Sequence, residues 1–415
     1  MVDLRNYAVV TASYWGFTLT DGALRMLVLL HFHTLGYTPL ELAFLFLLYE
    51  FFGVVTNLLG GWIGSRIGLK ITLYSGIALQ IVALGMLSML DPAWSRGLSV
   101  AFVVAAQGLS GIAKDLTKMS SKSAIKLVVP DDAHSALFKW VALLTGSKNA
   151  LKGAGFFLGG FLLATLGFEQ SLWSMAGGLS VVLVAAVVFL PGGLGKAKAK
   201  VKFSRIFSKS RAINLLSAAR FFLFGARDVW FVVGVPIFLY EALGWTFTQV
   251  GGFLAAWVVG YGVVQAAAPN LIKRSADGRS TETRAAQTWA FLLAAIPLGI
   301  ALALAAGIDP VVPVVGGLAV FGVVFAINSS VHSYLILAFT DSDKVALNVG
   351  FYYMANAGGR LAGCLLSGLS YQLWGITGCL ATASLLIAAA GAITIVLAGE
   401  HRRGAAGTSP GAEVT

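Results

Sequence analysis

"GLSGIAKDLTKMSSKSAIK" (residues 108–126) closes a long apolar run and sets Lys114, Lys118, Lys122 and Lys126 four residues apart. Positions four apart share one face of a helix, so the stretch reads as a row of ammonium groups along a hydrophobic rod. The run leading into it, about 97–121, is long enough to cross a bilayer as helix, which takes roughly 20 residues. Lysines at that depth point either to snorkelling ends or to the wall of an aqueous cavity. For Lys122 and Lys126, at the end of the run, snorkelling is the simpler expectation. Lys114 and Lys118 lie deeper.

The rest of the chain fits a membrane. Its 415 residues are 58% hydrophobic and 11% charged, with 49 glycines; a soluble chain carries roughly 25% charged residues. A formal net charge of +11 suits the basic loops of a membrane protein better than nucleic-acid binding. Cys364 and Cys379 lie in apolar runs, match no metal spacing and give no disulfide framework. The first apolar run carries Asp21 and Arg25 and lacks a small-residue cleavage site, so it reads as a retained helix.

Twelve apolar segments follow one another, at about 7–33, 39–63, 70–90, 97–121, 134–165, 171–190, 212–240, 246–270, 286–306, 311–339, 345–370 and 374–398. The connections alternate in charge. "DPAWSRG", "GFEQS", "GWT" and "GIDPVVP" hold a single basic residue, Arg96, whereas "PGGLGKAKAKVKFSRIFSKSR" alone holds seven. The positive-inside rule then puts both termini and that central stretch in the cytoplasm. The expected architecture is all-α, twelve transmembrane helices in two six-helix repeats: residues 1–190, a basic linker at 191–211, residues 212–399, and a disordered cytoplasmic tail at 400–415.

The halves echo each other. "FTLTDGALR" precedes "HTLGYTPLELAFLF" in the first, and "FLFGARDVW" precedes "YEALGWTFTQVGGFL" in the second. Asp21 then corresponds to Asp228 and Gly36 to Gly244, at offsets of 207 and 208. Parallel repeats of this kind are a transporter architecture. The loop "GWIGSRIGLKITL" (61–73) resembles the signature of the major facilitator superfamily: Gly61, Gly64 and Gly68 allow a tight turn, and Arg66 and Lys70 follow. Ser65 stands where that signature usually has an aspartate.

Charge at membrane depth costs about 3 kcal/mol or more per residue, so its placement is informative. Segments 3, 6, 9 and 12 have uncharged cores, as expected of helices at the periphery. The other segments carry eight deep cations (Arg25, Lys114, Lys139, Lys148, Lys152, Arg220, Arg227, Arg360) and four anions (Asp21, Glu50, Asp115, Asp228). Asp21 with Arg25, one turn apart, and Arg227 with Asp228 are the expected internal pairs. The surplus positive charge is tolerable only where water or an anionic ligand reaches it, which points to a multiply charged anion as cargo.

The candidate contacts are two facing lysine stripes, Lys114 with Lys118 and Lys148 with Lys152. The forked guanidiniums of Arg25, Arg227 and Arg360 suit tetrahedral oxyanions, and Asn149 and Asn356 supply neutral donors. Asp21, Glu50, Asp115 and Asp228 are ion-pair partners or proton sites. Asn57, Gln107, Asn328, His332 and Asn348 read as helix-to-helix hydrogen bonding, Tyr352 and Tyr353 as packing. "KGAGFFLGG" (152–160) reads as a small-residue contact seam. His31 and His33 have no third ligand, so neither metal nor cofactor is expected.

Five stretches, "YWGFTLTDGALRMLVLLHFH", "YEFFGVVTNLLGGW", "GLSGIAKDLTKMSSKSAIK", "FKWVALLTGSKNALKG" and "RFFLFGARDVWFVVGVPIFL", resemble the ArsJ family of bacterial organoarsenical efflux permeases. The resemblance covers most of the chain apart from the central basic stretch and the tail. It implies export of 1-arseno-3-phosphoglycerate across the inner membrane, with glyceraldehyde-3-phosphate dehydrogenase as the pathway partner that makes the ester, and a monomer in membrane lipid. It implies no residue roles. Three other readings stay open: an organophosphate/phosphate exchanger, a proton-coupled multidrug exporter, whose cavity would be acidic, and a membrane-embedded transferase, for which "TDSDK" offers only Asp341 and Asp343.

Overall fold

The computed structural model describes residues 4–67, 69–124, 134–190, 210–268, 275, 279–340 and 345–407, and no strand occurs among them. Helices are what this composition dictates, because only a helix satisfies its own backbone polar groups inside hydrocarbon. The first half comprises α1 (Leu4–Thr34), α2 (Pro39–Leu45), α3 (Leu47–Ile67), α4 (Leu69–Ser88), α5 (Arg96–Ala124), α6 (His134–Leu166) and α7 (Phe168–Phe189). The second comprises α8 (Arg211–Val229), α9 (Val235–Glu241), α10 (Phe247–Ala267), α11 (Ser280–Ala305), α12 (Gly317–Ala338) and α13 (Val345–Gly407). Five-residue π turns at Trp230–Gly234 and Val312–Gly316 lead into α9 and α12. Among the described residues, ten helices are long and apolar enough to cross a membrane.

The last two apolar segments run together as α13, which breaks at Gly375 with φ +61°. That left-handed conformation is open to glycine and costs other residues. α13 also continues to Gly407, past the start of the expected tail, because Ala, Glu and Arg in "GEHRRGAAG" favour helix. Residues 191–209 of the expected linker, residues 408–415 and Lys126 lie outside the described residues, as do the side chains of Arg66, Lys122 and Lys139.

One local device repeats between the halves. Gly36 turns the chain at φ +77° and Gly244 at φ +66°. Two residues later, Thr38 and Thr246 each cap the next helix, bonding reciprocally with Glu41 and Gln249 in capping boxes. The matched glycines of the sequence are therefore matched turns.

Helix contacts run through glycine, since lipid offers apolar side chains no incentive to associate and close backbone approach must supply the packing. A Cβ on Gly155 would lie 2.4 Å from the Leu19 carbonyl of α1, and one on Gly159 2.3 Å from that of Ala23. On the same helix, a Cβ on Gly160 would lie 2.3 Å from the Phe247 carbonyl of α10. α6 thus joins the halves through the seam expected at 152–160. Gly368 of α13 makes a like approach to Pro39 of α2, and His33 meets Glu241 at 3.2 Å. The contacts at Pro39, Phe247 and Glu241 close one end of the molecule.

Candidate functional site

Between the halves lies a cavity of about 250 Å³, walled by α1, α3, α5, α6, α8, α10, α12 and α13. A smaller cavity of about 60 Å³ adjoins it among α1, α3, α5, α6 and α13. None of the described residues lining either belongs to α4, α7, α11 or the part of α13 beyond Arg360. The peripheral role read from their uncharged cores is the one these helices take. The main cavity extends from Arg25 and Phe231 to Ser121, Gln265 and Ser333, away from the closed end.

The lysine stripes come together. Lys118, Lys148 and Lys152 line both cavities, and Lys114 lines the smaller one. Lys114 holds its ammonium 3.7 Å from the centre of the Tyr49 ring, a cation–π contact. Lys118 donates to Asn57 Oδ1 at 2.8 Å and stands 3.6 Å from Asp115. Asp115 also accepts from the Thr56 hydroxyl. Asn149 and Asn356 both line the main cavity.

The arginines form a chain across the halves. Arg25 of α1 donates to Glu50 of α3 at 3.0 Å, and Arg360 of α13 reaches the same Glu50 oxygen at 2.7 Å. Arg360 also meets Asp228 of α8 at 3.3 Å, and Arg227 Nε donates to Asp228 at 2.7 Å. The expected pair of Asp21 with Arg25 is not formed. Asp21 instead accepts the Tyr49 hydroxyl at 2.7 Å, while the Arg25 guanidinium turns to Glu50 on α3 and packs on Phe46 and Tyr49. The expected neighbour pair Arg227–Asp228 does form, extended by Arg360.

Several wall residues carried no signal in the sequence. Tyr14, Phe156, Phe224, Phe231, Trp257 and Tyr261 are aromatic residues in apolar runs, indistinguishable there from lipid-facing ones. Arg220, a deep cation not placed among the expected contacts, lines the cavity as well, and so does Tyr353, expected only to pack. The π turn at Trp230–Gly234 puts Phe231 and Val232 on the wall. Ser367 Oγ accepts from the Val233 and Gly234 amides at 3.1 and 3.2 Å, satisfying N–H groups that the irregular turn frees.

The two histidines of α1 are apart in role: His31 stacks on Phe168 at 4.0 Å, while His33 faces Glu241. Among the described residues, no group of three His, Cys, Asp or Glu side chains is placed to hold a metal ion. Asn328 and His332 are fully enclosed in α12.

Among the described residues, the two cavities together are lined by eight basic and four acidic side chains. In a low-dielectric surround such a surplus raises the local concentration of anions. Forked guanidiniums at the floor, ammonium groups on one wall and aromatic rings on the other can hold a polyanion with a short organic body.

Comparison with known proteins agrees in fold. The sequence profile of the Major Facilitator Superfamily matches residues 8–363. No curated protein matches the chain. A POT family transporter in complex with a thioalcohol-conjugated peptide superposes with a TM-score of 0.72 at 14% identity, covering 96% of each chain. A bacterial homologue of the iron transporter ferroportin, in an inward-facing state, gives 0.71 at 15% identity over 96% of this chain and 100% of that one. The human organic anion transporter MFSD10 (TETRAN) gives 0.62 at 17% identity over 95% and 100%.

Proposed function

Since the chain belongs to the Major Facilitator Superfamily, we propose that it exports a multiply charged organic anion from the cytoplasm by alternating access, with 1-arseno-3-phosphoglycerate as the cargo. The observation that carries this reading is the cavity lining, where the described residues of both halves contribute eight cations against four anions. The arsenical cargo rests on the five stretches that resemble the ArsJ family. It is a short carbon body ending in two tetrahedral oxyanions, which suits basic groups at separated positions.

In this reading the protein is a twelve-helix monomer of the bacterial inner membrane. α1 and α2–α3 supply the first two crossings, and α13 counts as two because of its break at Gly375. Both termini face the cytoplasm, which makes the closed end periplasmic and the cavity inward-facing. The anion enters along Lys118 and Lys148 and competes with Glu50 and Asp228 for the floor arginines. Loosening that chain, which ties α1 and α3 to α8 and α13, frees the two halves to rock about the site. Export needs no coupling ion. An inside-negative potential contributes about 2.3 kcal/mol per charge per 100 mV to the exit of an anion.

The test uses sealed everted vesicles containing the protein, supplied outside with arsenate, glyceraldehyde 3-phosphate, NAD and glyceraldehyde-3-phosphate dehydrogenase. Arsenic accumulation that requires the dehydrogenase supports the reading. Accumulation of sugar phosphates in exchange for phosphate, with no arsenic uptake, would replace it with an organophosphate exchanger.

A further inference from the structure

Of the four arginines on the cavity wall, three stand beside carboxylates: Arg25 beside Glu50, Arg227 beside Asp228, and Arg360 beside both. Arg220 differs. It is 4% exposed, and among the described residues no carboxylate lies within ion-pair distance of it. Its partners are neutral. Nε donates to Asn356 Oδ1 at 3.0 Å, and Nη1 donates to the Ser329 carbonyl and hydroxyl at 3.1 and 3.0 Å. The guanidinium lies 3.9 Å over the Phe224 ring and 5.0 Å from that of Tyr352. Among the described residues Nη2 has no hydrogen-bond partner, and it is not enclosed, so it is left to the cavity that Arg220 lines.

A guanidinium this buried, with neutral contacts alone, is costly in a membrane protein. Its orientation is nonetheless fixed from three sides, by α12, by α13 and by the ring one turn along its own helix. Rigid placement with an open donor is the arrangement of a receptor for an anion, because the ordering cost is met before the ligand arrives.

Position supplies the second half of the argument. Arg220 and Arg227 are seven residues apart on α8, two turns, or roughly 10 Å along the axis. Arg227 belongs to the floor group with Arg360 and Arg25, whereas Arg220 stands alone. We infer that Arg220 is a second anion pole of the transport site, and that the site selects organic anions bearing an oxyanion at each end over those bearing one. This rests on the anion-transport reading of the same cavity. The floor arginines receive one head group, Arg220 receives the other, and the aromatic wall at Phe224 and Tyr261 covers the carbon body between.

The probes are propane-1,3-diyl bisphosphate and propyl monophosphate, titrated into the purified full-length protein by calorimetry. The wild-type protein is expected to bind the bisphosphate at least tenfold more tightly. Arg220→Gln should lower bisphosphate affinity by roughly 10- to 100-fold, to about the monophosphate level, the loss of one charge-assisted contact. Monophosphate affinity should fall by a smaller factor than bisphosphate affinity, and a single monodisperse peak in detergent size-exclusion chromatography reports that the variant is folded. Arg220→Lys, which keeps the charge without the fork, should recover part of the loss. Equal losses for both ligands, or no loss for either, would overturn the second pole while leaving the anion-transport reading in place. Absence of binding of either ligand to the wild-type protein would overturn both.

Discussion

Glu50→Gln is the substitution that most directly perturbs the ion-pair chain on the cavity floor. Glu50 is 1% exposed and accepts from Arg25 at 3.0 Å and Arg360 at 2.7 Å. Glu50→Gln keeps the shape and one accepting oxygen but removes the shared counter-charge. The two guanidiniums then oppose each other with nothing between them. Stripping one partner from a buried pair costs about 3–5 kcal/mol, and the lower end applies here because Arg360 opens to the cavity and retains Asp228. The variant should therefore melt at a lower temperature in detergent. Its affinity for an organic bisphosphate should rise about tenfold, equivalent to about 1.4 kcal/mol, because the anion no longer competes with the carboxylate.

Arg360→Gln is the control. It leaves Arg25 with Glu50 and Arg227 with Asp228 as two self-neutralised pairs, so it should destabilise less than Glu50→Gln and should weaken anion binding instead. Paired measurements of melting and calorimetric affinity on the two variants check this. An Arg360→Gln protein less stable than Glu50→Gln, or a Glu50→Gln protein that binds the bisphosphate more weakly than wild type, would refute the competition argument.

Other outcomes follow from the same geometry. Lys114→Ala and Lys148→Ala should each cut vesicle uptake more than tenfold while leaving membrane insertion intact; unchanged uptake in both would remove the lysine stripes from the transport path. Gly159→Val should destabilise by about 1–3 kcal/mol, because a Cβ there meets the Ala23 carbonyl at 2.3 Å; Gly85→Ala, with open space around it, should stabilise by up to about 1 kcal/mol, and melting curves would read both. Ser333→Cys, on the cavity wall, should react with an impermeant maleimide added to everted vesicles and be protected by the bisphosphate. The native Cys364 and Cys379 are buried and should give little background.

The amino-acid sequence by itself determined the membrane class, the division into wall and peripheral helices, and the surplus of positive charge. Each follows from a one-dimensional rule: apolar length against bilayer thickness, and the cost of charge in hydrocarbon. The repeated turn was legible too, because Gly36 and Gly244 recur at the same offset as their capping residues, Thr38 and Thr246. Partner choice was not. Asp21 and Arg25 are one helical turn apart, yet Arg25 turns to Glu50, and Glu50 is shared with Arg360 from 310 positions along the chain. Arg220 was visible as a deep cation, but only the packing of α8, α12 and α13 left it without a carboxylate. Spacing along one helix says which side chains could meet. Which of them do meet depends on the carboxylates that neighbouring helices bring within about 3 Å, and that distance is fixed only when the glycine seams lock the bundle together.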